Sequence, residues 1–201
     1  MEQGFLENKT KTYFNTKTYH TKEIKKDFWH FIPLYPKPKY HLKPANKLPR
    51  FLLIRRENPY RHFKNYSKLQ SYVILGIGSN QGESLAIFWK LFLRLQKKND
   101  IIAFSPFLKN PAFGYTKQAD FYNGVIWLKT RLGYADFFSH CAYLERNFGR
   151  KRKRDFKNAP RTLDIDILGF KNKNITLNHL CIPHKEWAKR ESVTIPLKGF
   201  K

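Results

Sequence analysis

The stretch RTLDIDIL constrains the fold more than any other part of the chain. Apolar and acidic residues alternate in it, and successive side chains of a β-strand point to opposite faces of a sheet. Leu163, Ile165 and Ile167 therefore face a core. Asp164 and Asp166 project together from the opposite face. The segment predicts a sheet with one buried face and one open face that carries two carboxylates.

Periodic segments from Tyr72 onward supply the other strands and the helices. SYVILGIGS, DIIAFSPFL and DFYNGVIWLKT are short apolar runs that predict strands. ESLAIFWKLFLRLQKK carries its basic residues on one face and predicts a helix that covers a sheet, in preference to one lying on a membrane. Apolar residues at positions 137, 141, 144 and 148 predict a second helix, which Gly149 ends.

The predicted order is strand, helix, strand, strand, helix, strand. This order is typical of a ferredoxin-like α+β sandwich, in which both helices cover one face of an antiparallel sheet. We assign this domain to residues 71–201. Residues 1–70 are rich in Lys, Tyr and Pro and predict an irregular basic N-terminal extension. Its aromatic residues could dock on the domain, or the extension could bind a nucleic acid or a protein partner.

The net charge of +24 predicts attraction to polyanions such as nucleic acids, phosphorylated small molecules or anionic membranes. No stretch approaches the roughly 20 uncharged apolar residues of a membrane span, and the first residues lack the apolar core of a signal peptide. We therefore expect a cytoplasmic protein that does not bind a membrane. Cys141 and Cys181 are not spaced as a metal pair and are expected to be reduced thiols.

The two aspartates have a possible chemical role. Carboxylates about 7 Å apart along one strand can hold Mg²⁺, which prefers oxygen ligands and keeps waters and substrate phosphates. Alone, the pair could equally solvate an exposed face. The basic run GRKRKR, which begins at Gly149, and Arg161 precede it, and guanidinium groups bind phosphate oxygens in bidentate fashion. A nucleotide polyphosphate is therefore the preferred partner.

Phe121 and Asn123 lie two apart on a predicted strand and share a face. An aromatic ring beside a carboxamide suits a flat heterocycle, but a core Phe beside a polar edge residue fits equally well. Other ligand signatures are absent from the sequence. GIGSNQG has the wrong spacing for a dinucleotide-binding loop, no P-loop occurs, and the seven histidines show no zinc-site spacing.

The motifs GIGSN, DFYN, ERNFGR, APRTLDIDI and IPH, in this order, resemble those of the 6-hydroxymethyl-7,8-dihydropterin pyrophosphokinase family. The resemblance covers residues 72–197. It implies a ferredoxin-like fold and a reaction of folate biosynthesis. In that reaction the β,γ-pyrophosphoryl unit of ATP passes to the hydroxymethyl oxygen of the pterin, and AMP is released.

The resemblance also implies roles for individual residues. Asp164 and Asp166 match the pair that holds two Mg²⁺ ions around the phosphates. Arg150 and Arg152 match the basic loop, and Arg161 matches a substrate-contacting arginine. Together these five residues form the implied catalytic set.

Further residues match the two substrate sites of the family. Glu145 matches an acidic residue near the nucleotide, and His184 and Arg190 match contacts to the ATP phosphates. The pterin pocket is matched by Asn80, Asn110, Phe121 and Asn123.

Three positions depart from the family pattern. Ser192 stands where an aromatic residue usually sandwiches the pterin, Lys185 replaces a frequent Tyr, and no Trp precedes Pro160. Stacking on the pterin is therefore expected to be one-sided, or to involve Phe156.

Two other functions fit parts of the sequence. A basic ferredoxin-like module could bind RNA on its sheet face, but acidic residues there would repel phosphate. The chain could also be a catalytically inactive descendant of the family, but the intact aspartate pair and Arg161 disfavour this alternative. We expect a monomer that uses ATP and hydroxymethyldihydropterin, and nucleic acid only through the extension.

Overall fold

The computed structural model describes residues 19–33, 71–150, 158–171 and 173–198, and the structural statements below concern these residues. Arg152, Phe156 and most of the predicted N-terminal extension lie outside the described residues. The domain boundary proposed at residue 71 stays a prediction.

The described chain is an α+β structure with one antiparallel sheet of seven strands. These strands are β1 Tyr19–Lys25, β2 Phe28–Pro33, β3 Ser71–Ser79, β4 Asn99–Phe104, β5 Phe107–Asn110, β6 Phe121–Thr130 and β7 Asp164–Phe170. The helices are α1 Ser84–Leu95, α2 Tyr134–Asn147 and α3 Glu191–Lys198, with a 3₁₀ turn at Trp187–Lys189. A separate hairpin consists of β8 Ile175–Leu177 and β9 Leu180–Ile182.

The strands lie in the order β1, β2, β5, β6, β3, β7, and β4 pairs with the end of β6 that β5 leaves free. α1 and α2 cover one face of this sheet, as the sequence predicts. Phe88 and Phe92 of α1 and Phe137 of α2 are fully buried in one cluster with Leu75 and Ile165 of the strands. The helix face therefore holds the main core.

The opposite face is only partly covered. α3 packs across β5 and β6, and its Val193 joins Ile74, Val125 and Leu168 in a second, smaller cluster. α3 escapes sequence prediction because Pro196 and β-branched residues interrupt its helical pattern. α3 does not cover β7, whose Asp164 and Asp166 lie on this face and are partly exposed.

Two details differ from the sequence predictions. DIIAFSPFL was predicted as one strand but forms β4 and β5, because Pro106 lacks an N–H to donate to the sheet. The extension was predicted to be irregular, but its residues 19–33 form a β-hairpin that pairs with β5. Its aromatic residues do dock on the domain: Phe31 is buried, and Tyr19 accepts a hydrogen bond from Trp89 at 2.5 Å.

The helix ending and the thiols agree with the sequence. Gly149 adopts a φ of +84°, and the N–H of Arg150 reaches back to the carbonyl of Glu145 at 3.0 Å, which closes the last turn of α2. Cys141 and Cys181 are both free. In the described part of the chain, no helix has both the length and the apolar character needed to cross a bilayer.

His30, on β2, is expected to make stability depend on pH. Burial, and then the charge of Lys22, lower the pKa of His30 from 6.5 to about 4. The unfolded chain therefore binds more protons between these values, so stability is present above pH 6.5 and is lost as the pH falls toward 4. Because His30 is partly exposed, we expect the free energy of unfolding to fall by only about 1–2 kcal/mol over this pH range.

Denaturant titrations of wild type and His30→Gln between pH 7.5 and 4.5 measure this effect. The variant should lose less stability on acidification. Lys22→Gln removes one cause of the pKa shift, so its loss of stability on acidification should lie between those of the wild type and His30→Gln. Parallel pH profiles for wild type and His30→Gln would contradict the assignment.

Candidate active site

The site lies on the open face, where three neighbouring strands place short side chains in a row. Gly78 of β3 is paired with Asn123 of β6 on one side and with Asp164 of β7 on the other. Because a glycine separates the amide from the carboxylate, the floor between them is free of side chains. This floor joins an aromatic and amide side, at Phe121 and Asn123, to a charged side at β7.

Gly78 has little room for a side chain. A Cβ there would lie 3.1 Å from Asn123 Oδ1, 3.8 Å from Asp164 Cβ and 3.9 Å from Phe121 Cδ1. In the sequence, GIGSN has the wrong spacing for a dinucleotide-binding loop and stands out only as part of a family motif. The structure gives its second glycine a different role, as the floor of a cleft.

Gly78→Ala is therefore expected to raise the KM for the substrate bound on the amide side by about tenfold, because the new methyl displaces the Asn123 amide. The free energy of unfolding should change by less than about 1.5 kcal/mol. Gly133→Ala is the control, since a Cβ there has no neighbour closer than 3.7 Å. Steady-state kinetics on both variants check the prediction, and an unchanged KM in Gly78→Ala would contradict it.

Asp164 is held by two arginines. Arg150 Nη1 lies 2.7 Å from its Oδ1, and Arg161 Nη1 lies 2.9 Å from its Oδ2. Each guanidinium group carries several N–H donors, and those that Asp164 does not use can bind an anionic ligand. Arg161 Nε is buried and has no hydrogen-bond partner within the described residues. A buried donor without an acceptor is costly, and a phosphate oxygen could satisfy it.

Glu145 connects the end of α2 to β7. Its Oε1 accepts a hydrogen bond from the Ile165 N–H at 2.7 Å and contacts the Arg150 guanidinium. Burial raises the pKa of Glu145 to about 7, although the charge of Arg150 opposes the shift. Glu145 therefore fixes the position of Arg150 beside Asp164.

Asp166 lies beside a cavity of about 400 Å³ between β7 and the β8–β9 hairpin. Arg190 Nη1 is 3.5 Å from its Oδ2, and His184 Nε2 is 4.0 Å from the same atom. Burial, and then the charge of Asp164, raise the pKa of Asp166. The cavity is also lined by Lys185 and Phe138, so it combines cationic groups with a flat apolar surface. Its size falls within the range of small-molecule sites.

The amide side is held by a hydrogen-bond chain. Asn123 Nδ2 donates to Asn110 Oδ1 at 2.8 Å. The Phe121 ring lies under the guanidinium of Arg161, with 5.4 Å between Cζ and the ring centroid. Cation–π contact of this kind orients the ring face toward the charged side.

Asn80 binds other protein groups in this structure. Its Oδ1 accepts from the Arg161 N–H at 2.8 Å, and its Nδ2 donates to Gln118 Oε1 at 2.8 Å. Gln118 in turn donates to the carbonyls of Tyr115 and Asn158. Sequence reasoning missed Gln118, because a single polar residue in a loop carries no periodic signal.

The predicted site residues thus fall into one region of the open face. The structure brings together ten described members of the predicted set: Asn80, Asn110, Phe121, Asn123, Glu145, Arg150, Arg161, Asp164, Asp166 and Arg190, with His184 at the edge of the cavity. Lys185 is exposed beside that cavity, and Ser192 is half-buried on α3.

The acidic residues suit a magnesium ion better than a metal held by protein alone. Among the described residues, no group of three or more His, Cys, Asp or Glu side chains could hold a metal. Mg²⁺ needs fewer protein ligands, because it keeps waters and takes substrate phosphates. Burial is the main cause of the raised pKa of Asp166, and the like charge of Asp164 adds to it. A divalent cation would relieve this repulsion between the two carboxylates. The residues therefore fit Mg²⁺ bound together with a phosphorylated substrate.

Comparison with known proteins gives a consistent match. Residues 74–201 match the model of the 7,8-dihydro-6-hydroxymethylpterin-pyrophosphokinase (HPPK) family. The chain is 48% identical over 137 residues to the 2-amino-4-hydroxy-6-hydroxymethyldihydropteridine pyrophosphokinase of Helicobacter pylori, a match that covers 67% of this chain and 84% of that protein. The protein of the same name from Campylobacter jejuni is 39% identical over 137 residues, with 67% and 85% covered. The one from Aquifex aeolicus is 34% identical over 125 residues, with 62% and 77% covered.

Proposed function

Because the chain belongs to the HPPK family, we infer that it transfers the pyrophosphoryl group of ATP to 6-hydroxymethyl-7,8-dihydropterin, a step of folate synthesis. It is a transferase, and AMP is the second product. The observation that best supports this function is the continuous floor of the site. An amide and aromatic side for a flat heterocycle meets a charged side for phosphates at Gly78.

Arginine and histidine side chains bind and orient the phosphates in this proposal. Arg150 and Arg161 flank Asp164, and Arg190 and His184 flank Asp166, so positive charge lies on both sides of the carboxylate pair. Guanidinium groups held in place before the reaction stabilise charge that builds up during transfer. The Nε of Arg161, which is buried and has no partner among the described residues, is proposed to donate to a phosphate oxygen.

Asp164 and Asp166 would hold the magnesium ions, two by the family resemblance. Bound Mg²⁺ would neutralise phosphate charge and make the pterin hydroxyl easier to deprotonate. The protein residues align the two substrates, so no strong general base is required of them. Arg152 completes the phosphate-binding set of the resemblance.

The pterin ring is proposed to stack on Phe121, with its edge toward the amides of Asn110 and Asn123. This arrangement is supported by the shared face of the ring and the amide and by the hydrogen bond between the two amides. Asn80 acts through the Arg161 backbone and the loop that contains Gln118. With serine at position 192, stacking from the second side is left to another residue or is missing.

We also propose that the catalytic domain has a ferredoxin-like fold and that the protein is a cytoplasmic monomer. The strands of the catalytic domain lie in the order β5, β6, β3, β7, and two helices cover one face of them. This arrangement supports a ferredoxin-like sandwich. Dependence on ATP supports a cytoplasmic protein. We propose a monomer, since all members of the predicted site belong to this chain and the proposed reaction requires no residue from a second copy. RNA binding on the sheet face is disfavoured, because Asp164 and Asp166 of β7 would repel phosphate there.

The direct test is AMP formation by the full chain. We expect AMP only when ATP, hydroxymethyldihydropterin and Mg²⁺ are all present. ATP consumption that does not depend on the pterin would contradict the proposed function.

A further inference from the structure

The β1–β2 hairpin lies outside the family match, which begins at residue 74, yet it is built into the catalytic domain. Phe31 is only 3% exposed and shares the main core with Phe107 of β5. The ring of Tyr19 contacts both, with centroids 6.2 Å from Phe31 and 6.4 Å from Phe107. Its hydroxyl is bound by Trp89 of α1. A segment anchored in this way is fixed relative to the helices and the sheet.

The hairpin supports a strand that has little support of its own. β5 is four residues long and begins directly after Pro106. It pairs with β6 on one side and with β2 on the other, where Trp29 faces Lys109 and Phe31 faces Phe107. A short strand with a single neighbour is weakly held, whereas a strand between two neighbours is not. The hairpin therefore converts β5 from an edge strand to an interior strand.

β5 ends at the candidate active site. Asn110 is its last residue, pairs with Phe121 in register and binds the Asn123 amide. A displacement of β5 would move this amide pair relative to Gly78. The geometry of the amide side therefore depends on the hairpin through β5.

The hairpin also contacts the charged side. Lys25 Nζ lies 2.6 Å from Glu191 Oε1. Glu191 is the first residue of α3 and follows Arg190, whose guanidinium lies 3.5 Å from Asp166. The same 15-residue segment thus reaches the residue next to a phosphate-binding arginine.

We propose that the β1–β2 hairpin is a positioning element of the active site. It holds the Asn110–Asn123 amide pair through β5 and Arg190 through the ion pair of Lys25 with Glu191. None of its residues belongs to the predicted substrate-binding set, so the effect proposed for it is on geometry. This inference rests on the proposed function, because it concerns the two substrates of that reaction.

Phe31→Leu tests the amide side, with Phe137→Leu as the matched control. Both phenylalanines are buried in the main core, but Phe137 packs on Phe170 under α2, away from β5. We expect Phe31→Leu to raise the KM for the pterin by about three- to tenfold with little change in kcat, because ground-state binding is loosened. Phe137→Leu should leave this KM unchanged. Equal pterin KM values in the two variants, in an active wild type, would overturn the proposal.

Hydrogen exchange on the wild-type chain keeps the proposal falsifiable where Phe31→Leu does not fold. Binding and positioning are reciprocal, so bound substrates must stabilise the hairpin in turn. Amides of β2 and β5 should exchange more slowly with a nonhydrolysable ATP analogue and pterin bound. Unchanged exchange in β2 would overturn the proposal. A wild type that binds both but forms no AMP would contradict the proposed function alone.

The ion pair is tested by Lys25→Met and Glu191→Gln. Because the pair is exposed, each variant should raise the KM for ATP by only about two- to fivefold. The exchanged pair Lys25→Glu with Glu191→Lys should recover most of this loss. Failure of both single variants to change the KM for ATP would remove the charged side from the proposal.

Discussion

Asp166→Asn is expected to lower kcat by about 10³-fold or more while it changes the affinity for ATP by less than about tenfold. The carboxylate lies beside the cavity, 3.5 Å from the Arg190 guanidinium and 4.0 Å from the His184 imidazole. Its proposed role is to hold the cation that stabilises transition-state charge. Interactions that are stronger in the transition state than in the ground state change kcat more than binding.

Single-turnover kinetics and nucleotide titration measure the two quantities separately. Asp100→Asn is the control, because Asp100 is an exposed acid on β4 at the far end of the sheet. It should behave as wild type. Near wild-type turnover of Asp166→Asn would contradict the metal assignment.

Arg161→Ala is expected to lower kcat by about 10²- to 10³-fold and to raise the KM for the pterin as well. Arg161 is the residue that joins the two sides of the site. Its Nη1 binds Asp164 at 2.9 Å, and its guanidinium lies over Phe121. Removal therefore takes away a proposed phosphate donor, leaves Arg150 as the one described arginine on Asp164 and loosens the ring proposed to stack on the pterin.

Arg161→Lys separates charge from geometry. Lysine keeps the positive charge but lacks the planar fork that binds Asp164 and a second acceptor together, so it should restore only part of the activity. Arg131→Ala, an exposed arginine at the end of β6, should have no effect. Full activity in Arg161→Lys would show that charge alone suffices.

The sequence predicts the catalytic core of the fold well, because its signals are local. Alternation across RTLDIDIL correctly separates Ile165 and Ile167, which are buried, from Asp164 and Asp166 on the open face. The spacing of Phe137, Cys141 and Leu144 correctly gives α2. These patterns depend only on the repeat of a strand or helix.

The hairpin and α3 could not be predicted in the same way. The polar residues of β1 give no clear alternation, and β2 is fixed by pairing with Lys109 and Phe107, more than 70 residues away. α3 contains Pro196 and is held by packing on β5 and β6. Long-range contacts decide both elements, and local propensity gives no signal for them.

The candidate site also combines features that local sequence patterns predict with features that depend on long-range contacts. Motifs give the identities of Asp164, Arg161, Phe121 and Asn123, but the sequence does not show that Gly78 separates them. Nor does it show that Asn80 binds the Arg161 backbone. These relations arise from strand register, which a single strand does not encode.

Counting bound Mn²⁺ tests the central claim most directly, because Mn²⁺ takes the same oxygen ligands as Mg²⁺ and is visible by electron paramagnetic resonance. With a nonhydrolysable ATP analogue and the pterin bound, the wild type should hold two Mn²⁺ ions per chain by the family resemblance. Asp164→Asn and Asp166→Asn should each hold fewer. The same number of tightly bound ions in the wild type and in both variants would contradict the account.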